Sequence, residues 1–389
     1  MTNEAFIEKN KDADVRELAL SKIPNGIDLR FCLQQIEGLQ VAQKKLSSWA
    51  KTKGIIFPPK ISMEQCSSEQ TARYKQQLVE RLLPEGRQKM VDLTGGFGID
   101  FSFLAKLFEE ADYVETNVNL CEIARHNFPL LNLPKTKIYC LKCEDFLDEM
   151  GSFCFIYLDP SRRDETGRKV VALSDCSPNV EVLQEKLLAH APIVLVKLSP
   201  MLDIQDTLRR LTNVNEVHVV SVDGECKEVL LVLCREKKDE LPFCCVNIAA
   251  QTQTFCTTTR DAEPIIATSL EQYLYEPNAS ILKAGVQNAL CQTYDVRKLH
   301  PFSHLFISFH FIENFPGRAF VIEDYCGFAK KDLKRMLADI SQCNLTVRNF
   351  PATVAELRKR LKLREGGDSY LFATTLGDNS HVLIRCKQP

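Results

Sequence analysis

The amino-acid sequence predicts an α/β protein with a doubly wound, mostly parallel sheet, a helical N-terminal region and a small α+β C-terminal domain. Three observations lead to this fold class. Apolar residues recur at helical spacing through residues 1–88, short apolar runs alternate with helical stretches over 89–236, and a β-α-β-α-β-β pattern fills 318–389. Residues 237–317 lie between them as a connector or small α+β subdomain, so we expect four parts.

The N-terminal region is predicted to be helical. The stretches IDLRFCLQQIEGLQVAQKKLSSWA and SSEQTARYKQQLVERLL carry apolar residues three and four positions apart, as helices that bury one face do. Between them, Pro58 and Pro59 disfavour helix, so KGIIFPPKIS is predicted to be a loop or a short extended segment.

The central region is predicted to contain seven strands: MVDL, DYVET, KIYCL, FCFIYLD, PIVLVKLS, VHVVSV and EVLLVLC. The helices between them include DFSFLAKLFEE, LCEIARHNFPLL and SPNVEVLQEKLLAH. Because the strands are almost wholly apolar, helices are expected to cover both faces of a mostly parallel sheet. Ser177 and Pro178 are predicted to be the N-cap and the first residue of the helix after the fourth strand.

Composition limits the class of protein. The chain has 389 residues, 45% of them hydrophobic, which is enough for two or three domains with buried cores. No apolar run reaches the roughly 18 residues of a membrane span, so we expect neither a signal peptide nor an anchor, and a cytoplasmic location. The net charge is −2, but residues 328–389 carry +6. This positive end is a candidate nucleic-acid surface, with well-solvated amphipathic helices as the alternative.

The cysteines favour a reduced compartment. Sixteen cysteines are scattered through apolar stretches, where a thiol behaves as a small hydrophobic group. Cys140 and Cys143 form the one CxxC pair, but no second pair or histidine lies nearby in the sequence, so we expect no metal site.

The stretch VDLTGGFGID places three glycines within four positions at the end of the first predicted strand. Glycine accepts positive φ and allows backbone amides to approach a ligand, although a purely structural turn is the alternative. The spacing differs from the G-x-G-x-x-G of dinucleotide-binding turns. Asp92 can lie near an ammonium group, while the turn amides and the following helix N-terminus favour a carboxylate. A ligand with an amino-acid end therefore fits better than a pyrophosphate.

Acidic residues follow three further strands. Glu115, at the end of the second strand, can accept both hydroxyls of a ribose. Glu144 and Asp145 follow the third strand, within reach of an adenine amine, and Asp159 follows the fourth. Because the carboxyl ends of parallel strands meet at one edge, these side chains are expected to share a crevice.

Taken together, VDLTGGFGID, VETN, CEDF and LDPS resemble the motifs of class I S-adenosylmethionine-dependent methyltransferases, over residues 60–236. The resemblance implies a Rossmann-like fold and S-adenosylmethionine as the cofactor. It also implies a set of cofactor-binding residues in the turn and at the strand ends: Asp92, Thr94, Gly95, Gly96, Phe97, Gly98, Asp100, Glu115, Asn117, Glu144, Asp145 and Phe146.

The segment QCSSEQTARYKQQLVERL is similar to one that precedes the core in RNA cap guanine-N2 (trimethylguanosine synthase-like) methyltransferases, where it lies across the cofactor. The similarity implies that Ser67, Ser68 and Thr71 contact the cofactor. The alternative is an ordinary N-cap, Ser67 or Ser68, with Thr71 in the first turn of the helix. The β-α-β-α-β-β pattern at the C-terminus resembles the THUMP-like domain, which implies RNA binding.

The resemblance assigns the acceptor site to LDPSRRD, with Asp159, Pro160 and Ser161 as catalytic residues. Amine-directed members usually have a second proline and an aromatic residue where this chain has Ser161 and Arg162. Asp159 can still orient an exocyclic amine towards the methyl group. Arg162 and Arg163 can stack on a base or hold a phosphate, or lie in a solvated loop.

The stretch KLSP after the fifth strand adds two substrate-binding candidates, Lys197 and Ser199, although Ser199 and Pro200 can equally cap the next helix. The predicted function is S-adenosylmethionine-dependent methylation of RNA at a base amine. The alternatives are a catalytically silent RNA-binding scaffold, which the altered LDPSRR motif supports, and a nicotinamide-dependent oxidoreductase, which the glycine spacing disfavours. The oligomeric state is left open.

Overall fold

The computed structural model describes residues 1–22, 24–161 and 173–389, and it divides into two compact units. The first unit comprises Met1–Asn215 and Val229–Asp239, and the second comprises Glu216–Glu228 and Glu240–Pro389. The predicted core range, 89–236, therefore includes residues of both units. In the described residues, no helix combines the length and the apolar character that crossing a membrane requires.

The first unit begins with six helices: α1 (Asn3–Asn10), α2 (Val15–Ala19), α3 (Leu29–Lys45), α4 (Ser47–Lys51), α5 (Lys60–Gln65) and α6 (Glu69–Leu82). Asp28 caps α3 by accepting the amide hydrogen of Phe31, and Ser68 caps α6 by accepting that of Thr71. Residues 52–59 between α4 and α5 form no regular element, but the last three residues of the predicted loop KGIIFPPKIS, 60–62, belong to α5.

A parallel sheet follows, built from β1 (Lys89–Asp92), β2 (Glu110–Val114), β3 (Lys135–Tyr139), β4 (Phe155–Leu158) and β5 (Ile193–Leu198). Their order is β3-β2-β1-β4-β5, and residues 229–234 of β7 (Glu225–Cys234) pair antiparallel with β5. The order reverses between β1 and β4, which makes the carboxyl ends of these two strands the switch point at which such sheets bind ligands.

In the described part of this region, five helices connect the strands: α7 (Ile99–Leu104), α8 (Val118–Asn127), α9 (Cys143–Glu149), α10 (Val180–His190) and α11 (Ile204–Arg210). The predicted start of α10 was wrong. Asn179, not Ser177, is the N-cap and accepts the amide hydrogen of Val182, while Ser177 pairs with Ser161 through two backbone hydrogen bonds.

The second unit contains two groups of strands. In the first, β6 (Val214–Val222) pairs parallel with β8 (Phe243–Ile248) through residues 217–222, and β8 pairs antiparallel with β9 (Gln253–Thr257). The second is a seven-stranded sheet in the order β11-β12-β10-β13-β16-β15-β14. Its strands are β10 (Tyr273–Pro277), β11 (Arg297–Lys298), β12 (Phe306–Ser308), β13 (Gly317–Cys326), β14 (Gln342–Arg348), β15 (Arg364–Thr375) and β16 (His381–Lys387).

Four helices complete the second unit: α12 (Ala279–Ala284), α13 (Leu290–Tyr294), α14 (Lys330–Met336) and α15 (Val354–Leu361). From β13 onwards the order is β-α-β-α-β-β, as predicted. The last four strands continue one sheet with β10–β12, because β13 pairs with β10 along its first half. The predicted fold class, α/β with a doubly wound sheet, an N-terminal helical region and a small α+β C-terminal domain, is confirmed.

Candidate functional site

The glycine turn between β1 and α7 is shaped as much by packing as by conformation. A Cβ atom on Gly95 would lie 2.1 Å from the ring of Tyr113, and one on Gly98 would lie 2.8 Å from the ring of Phe128. Gly98 and Gly96 have positive φ angles of 84° and 55°. A Cβ on Gly96 would meet nothing closer than 3.8 Å. Two of the three glycines are therefore required by neighbouring aromatic rings, and Gly96 is the one that no side chain crowds.

The turn is also fixed to the N-terminal helices. Phe97 points into a hydrophobic cluster and packs on Trp49, with the two ring centroids 4.8 Å apart. Phe57 and Met63 belong to the same cluster. The side chain of Phe97 therefore connects the glycine turn to α4 and α5, which positions the turn against the helical region.

A short hydrogen-bonded chain joins the ends of β1 and β4 across the switch point. The Asp92 carboxylate accepts the amide hydrogen of Thr94 at 2.9 Å. The Thr94 hydroxyl in turn accepts the amide hydrogen of Asp159 at 2.6 Å. Asp92 is buried and Asp159 is partly exposed. The structure thus brings Asp92, Thr94 and Asp159 together, with Asp159 on the solvent side.

Glu115 reaches across from the end of β2 to the turn. Its Oε2 accepts the amide hydrogen of Gly96 at 2.8 Å, and its Oε1 accepts the amide hydrogen of Asn117 at 2.8 Å. Oε1 also accepts the Thr116 hydroxyl at 3.1 Å. Each carboxylate oxygen has two lone pairs, so Oε2 retains capacity for a further donor. The carboxylate is oriented by the backbone on both sides.

Asp100, in the first turn of α7, lies at the centre of a buried ionic network. Its carboxylate lies 3.1 Å from the ammonium nitrogen of Lys75 and 3.8 Å from that of Lys197. The hydroxyls of Ser67 and Tyr157 both donate to its Oδ2 at 2.7 Å. Asp100 therefore connects α6 to the ends of β4 and β5.

The surroundings shift the pKa values of the two buried carboxyl groups, Asp100 and Asp92, in opposite directions. Burial raises the pKa of Asp100, but the ammonium groups of Lys75 and Lys197 and the two hydroxyl donors outweigh it, so this pKa is lower than usual. Burial raises the pKa of Asp92 well above its usual value, and the nearby carboxylates of Asp100 and Asp159 add to the rise. Asp100 therefore carries charge more readily than Asp92.

Four predicted cofactor-binding residues lie further from this network. Asn117 is exposed and caps α8. Glu144 and Asp145 are exposed in the first turn of α9, and Phe146 is buried against Tyr139, with the ring centroids 4.8 Å apart. None of these four has a contact with Asp92, Asp100 or Asp159 among the hydrogen bonds and ion pairs of the described residues.

The three residues before and within α6 have local roles. Ser67 donates to Asp100, and Ser68 is the N-cap of α6. The Thr71 hydroxyl donates to the backbone oxygen of Ser68 at 3.2 Å. The capping alternative is therefore observed for Ser68.

The acceptor loop is described only at its beginning. Pro160 is buried, and Ser161 is exposed and paired with Ser177 through the backbone. Arg162 and Arg163 lie outside the described residues. At the end of β5, the Ser199 hydroxyl accepts the amide hydrogen of Met201 at 3.1 Å. Asp203, not Ser199, caps α11.

Lys75, Tyr113 and Tyr157 are site residues that sequence reasoning missed. Lys75 lies on α6 among charged and polar residues, and only the fold shows that its side chain is buried. Tyr113 and Tyr157 lie in apolar strands, where a tyrosine is normally assigned to the core. A lysine on the buried stripe of an amphipathic helix was the one available signal.

Comparisons with known proteins place this chain in a family. Residues 273–316 match a family model described as a ferredoxin-like domain, and residues 317–388 match one described as THUMP domain-like. No curated protein matches the sequence. The crystal structure of a candidate methyltransferase from Porphyromonas gingivalis W83 is 33% identical, covers 99% of this chain and 97% of its own, and has a TM-score of 0.87.

Two other solved structures are only remotely similar. A candidate RNA methyltransferase from Pyrococcus horikoshii is 13% identical, covering 49% of this chain and 93% of its own, with a TM-score of 0.34. A SAM-dependent methyltransferase from Agrobacterium tumefaciens is 15% identical, covering 43% and 62%, with a TM-score of 0.32. Because the Porphyromonas similarity extends over nearly the full length of both proteins, this chain belongs to the family of that protein, which combines a class I methyltransferase fold with a THUMP-like C-terminal domain.

Proposed function

We propose that the protein is an S-adenosylmethionine-dependent methyltransferase that acts on a base amine of RNA. One observation carries the proposal: acidic side chains from the ends of β1, β2 and β4 surround a glycine turn at the switch point of a parallel sheet. This is the position at which open α/β sheets bind ligands.

The residues of the first unit suit this cofactor. A Cβ on Gly96 would meet nothing closer than 3.8 Å, and Glu115 beside it is oriented to accept ribose hydroxyls. Asp92 would receive the ammonium of the amino-acid end. Helix α7 has only six residues, so a carboxylate would depend on the turn amides rather than on a helix dipole. Glu144 and Asp145, exposed on α9, remain proposed adenine contacts.

The bound cofactor would supply a methyl group already activated on a sulfonium. The protein's own contribution is therefore alignment of the acceptor. Asp159 lies at the end of β4 with its backbone held by Thr94 and its side chain partly exposed. We assign it to accept a hydrogen bond from the target amine and so to direct the nitrogen lone pair.

RNA as the substrate is supported by the second unit. Residues 317–388 match the THUMP-like model, and exposed lysines and arginines lie on α14 and α15. Their charge suits a phosphate backbone. A closer relation to cap guanine-N2 methyltransferases, suggested by residues 65–82, and a cytoplasmic location are further parts of this proposal.

Calorimetric titration of the purified protein with S-adenosylmethionine and with NAD tests the cofactor assignment. We expect saturable binding of S-adenosylmethionine and none of NAD. Binding of neither would favour the silent scaffold, and binding of NAD alone would favour the oxidoreductase. Mass spectrometry of RNA nucleosides from cells with and without the gene would then identify the methylated base.

A further inference from the structure

Four side chains of the first unit form a row of alternating charges that ends at Asp159. Lys75 Nζ lies 3.1 Å from Asp100 Oδ1, Asp100 Oδ2 lies 3.8 Å from Lys197 Nζ, and Lys197 Nζ lies 2.5 Å from Asp159 Oδ2. The exposed fractions of these side chains rise along the row from 0% through 9% and 12% to 36%. The row therefore leads from the interior to the acceptor site.

The interior half of the row is held in one arrangement. Ser67 and Tyr157 each donate a hydrogen bond to Asp100 Oδ2, and Lys75 Nζ lies 3.3 Å from the Ser67 hydroxyl. Buried ionic groups with this many partners have little freedom to reorient. Asp100 therefore presents its Oδ2 to Lys197 from a fixed position.

The outer half of the row restrains Asp159 at two points. Thr94 accepts its backbone N–H, and Lys197 binds its Oδ2. Within the part of the chain that the structure describes, no group donates a hydrogen bond to Oδ1. Lys197 thus holds one oxygen of the Asp159 carboxylate, and the backbone bond to Thr94 fixes where the side chain begins.

We propose that Lys75, Asp100 and Lys197 are positioning residues that hold the Asp159 carboxylate in the orientation the acceptor amine requires. This inference rests on the proposed function. It changes the role expected of Lys197, which pairs with Asp159 instead of binding substrate. It also makes α6, which carries Lys75, part of the acceptor site, although α6 lies outside the methyltransferase sheet.

The test uses the double variant Lys75→Met/Asp100→Asn. Removing one partner of a buried ion pair usually destabilises a protein, whereas replacing both partners is often close to neutral, so this variant is expected to fold. Its crystal structure should show the Asp159 side chain in a different orientation or in two alternate conformations. Its kcat for RNA methylation should fall about 100-fold, as expected for a misplaced reacting group.

The ion pair between Lys60 and Glu37, 2.8 Å apart on α5 and α3, provides the control. Lys60→Met/Glu37→Gln removes equal charges and should leave kcat unchanged. Lys197→Arg should restore part of the turnover that Lys197→Met loses. An unmoved Asp159 in the Lys75→Met/Asp100→Asn crystal structure would overturn the inference. If the wild type methylates no RNA, the proposed function fails, and the crystal structures still decide whether the row positions Asp159.

Discussion

At the scale of single residues, Glu115 gives the most direct prediction about the cofactor. If its carboxylate accepts the ribose hydroxyls, Glu115→Ala should weaken S-adenosylmethionine binding by about 1.5–3 kcal/mol, the worth of hydrogen bonds to a charged group. That corresponds to a roughly 10- to 150-fold rise in Kd, measured by calorimetry. Glu122→Ala, an exposed change on the neighbouring helix α8, is the matched control. An unchanged Kd for Glu115→Ala would remove the ribose assignment.

Asp92 gives a prediction about pH. Burial raises its pKa, so the group binds its proton more tightly in the folded than in the unfolded protein. Its contribution to stability is therefore fully present below the ordinary carboxyl pKa and is lost as the pH rises through the raised value. An ionised Asp92 attracts the cofactor ammonium, so the affinity should increase with pH over that same range.

The comparison of wild type with Asp92→Asn isolates this effect, because every other titrating group is shared. Calorimetry at several pH values should show a steeper increase of affinity with pH for the wild type. Parallel pH profiles for the two proteins would show that Asp92 does not face the ammonium.

At the scale of elements, the glycine turn shows what sequence can and cannot reveal. Three glycines after an apolar strand predicted a tight turn at a ligand site. The physical reason for Gly95 and Gly98 is contact with Tyr113 and Phe128, which are distant in sequence, so no local pattern contains it. The strand-end positions of Asp92, Glu115 and Asp159 were predictable because parallel strands bring their carboxyl ends to one edge.

Gly95→Ala is accordingly expected to destabilise the protein through a steric clash alone, because Gly95 is not among the glycines with positive φ. The new Cβ would overlap the Tyr113 ring, and overpacking of this kind typically costs about 1–3 kcal/mol. Gly151→Ala, where a Cβ meets nothing within 4 Å, should have little effect. Thermal unfolding of the two variants measures the difference, and equal melting temperatures would contradict the packing explanation.

Helix α6 is the element whose role was least accessible from sequence. Its apolar spacing predicted the helix, and Ser67 or Ser68 was the N-cap under the capping alternative; Ser68 is the one observed. Lys75 lies on the buried stripe of this helix, but only the fold shows that its partner is Asp100. The pairing of Lys75 with Asp100 depends on how α6 packs against α7, and the hydrophobic periodicity of either helix does not predict that packing.

At the scale of the whole molecule, the charge distribution predicts how RNA is bound. Lys330, Lys331 and Lys334 are exposed on α14. Changing all three to Glu should weaken RNA binding and reduce its dependence on salt, by a slope of about 0.7 for each single-strand phosphate that the variant no longer neutralises. Binding measured by fluorescence anisotropy across a salt series gives both quantities.

The matched control changes Lys44, Lys51 and Lys53 to Glu, which alters the net charge equally in the N-terminal helical region. Equal reductions of affinity in the two triple variants would mean that overall charge, and not the THUMP-like segment, governs binding. Point substitutions are preferable to truncation at residue 317, because β13 pairs with β10 and its removal would leave the seven-stranded sheet incomplete.

The central claim is that the first unit binds S-adenosylmethionine and that Asp159 directs an RNA amine towards its methyl group. The most direct test is transfer of labelled methyl groups from S-adenosylmethionine to total cellular RNA by wild type and Asp159→Ala, with cofactor affinity measured in parallel. We predict that both proteins bind the cofactor with similar affinity, that the wild type labels RNA, and that the variant loses kcat and kcat/KM to a comparable extent. A wild type that binds the cofactor without labelling RNA, or a variant that labels RNA at the wild-type rate, would contradict the claim.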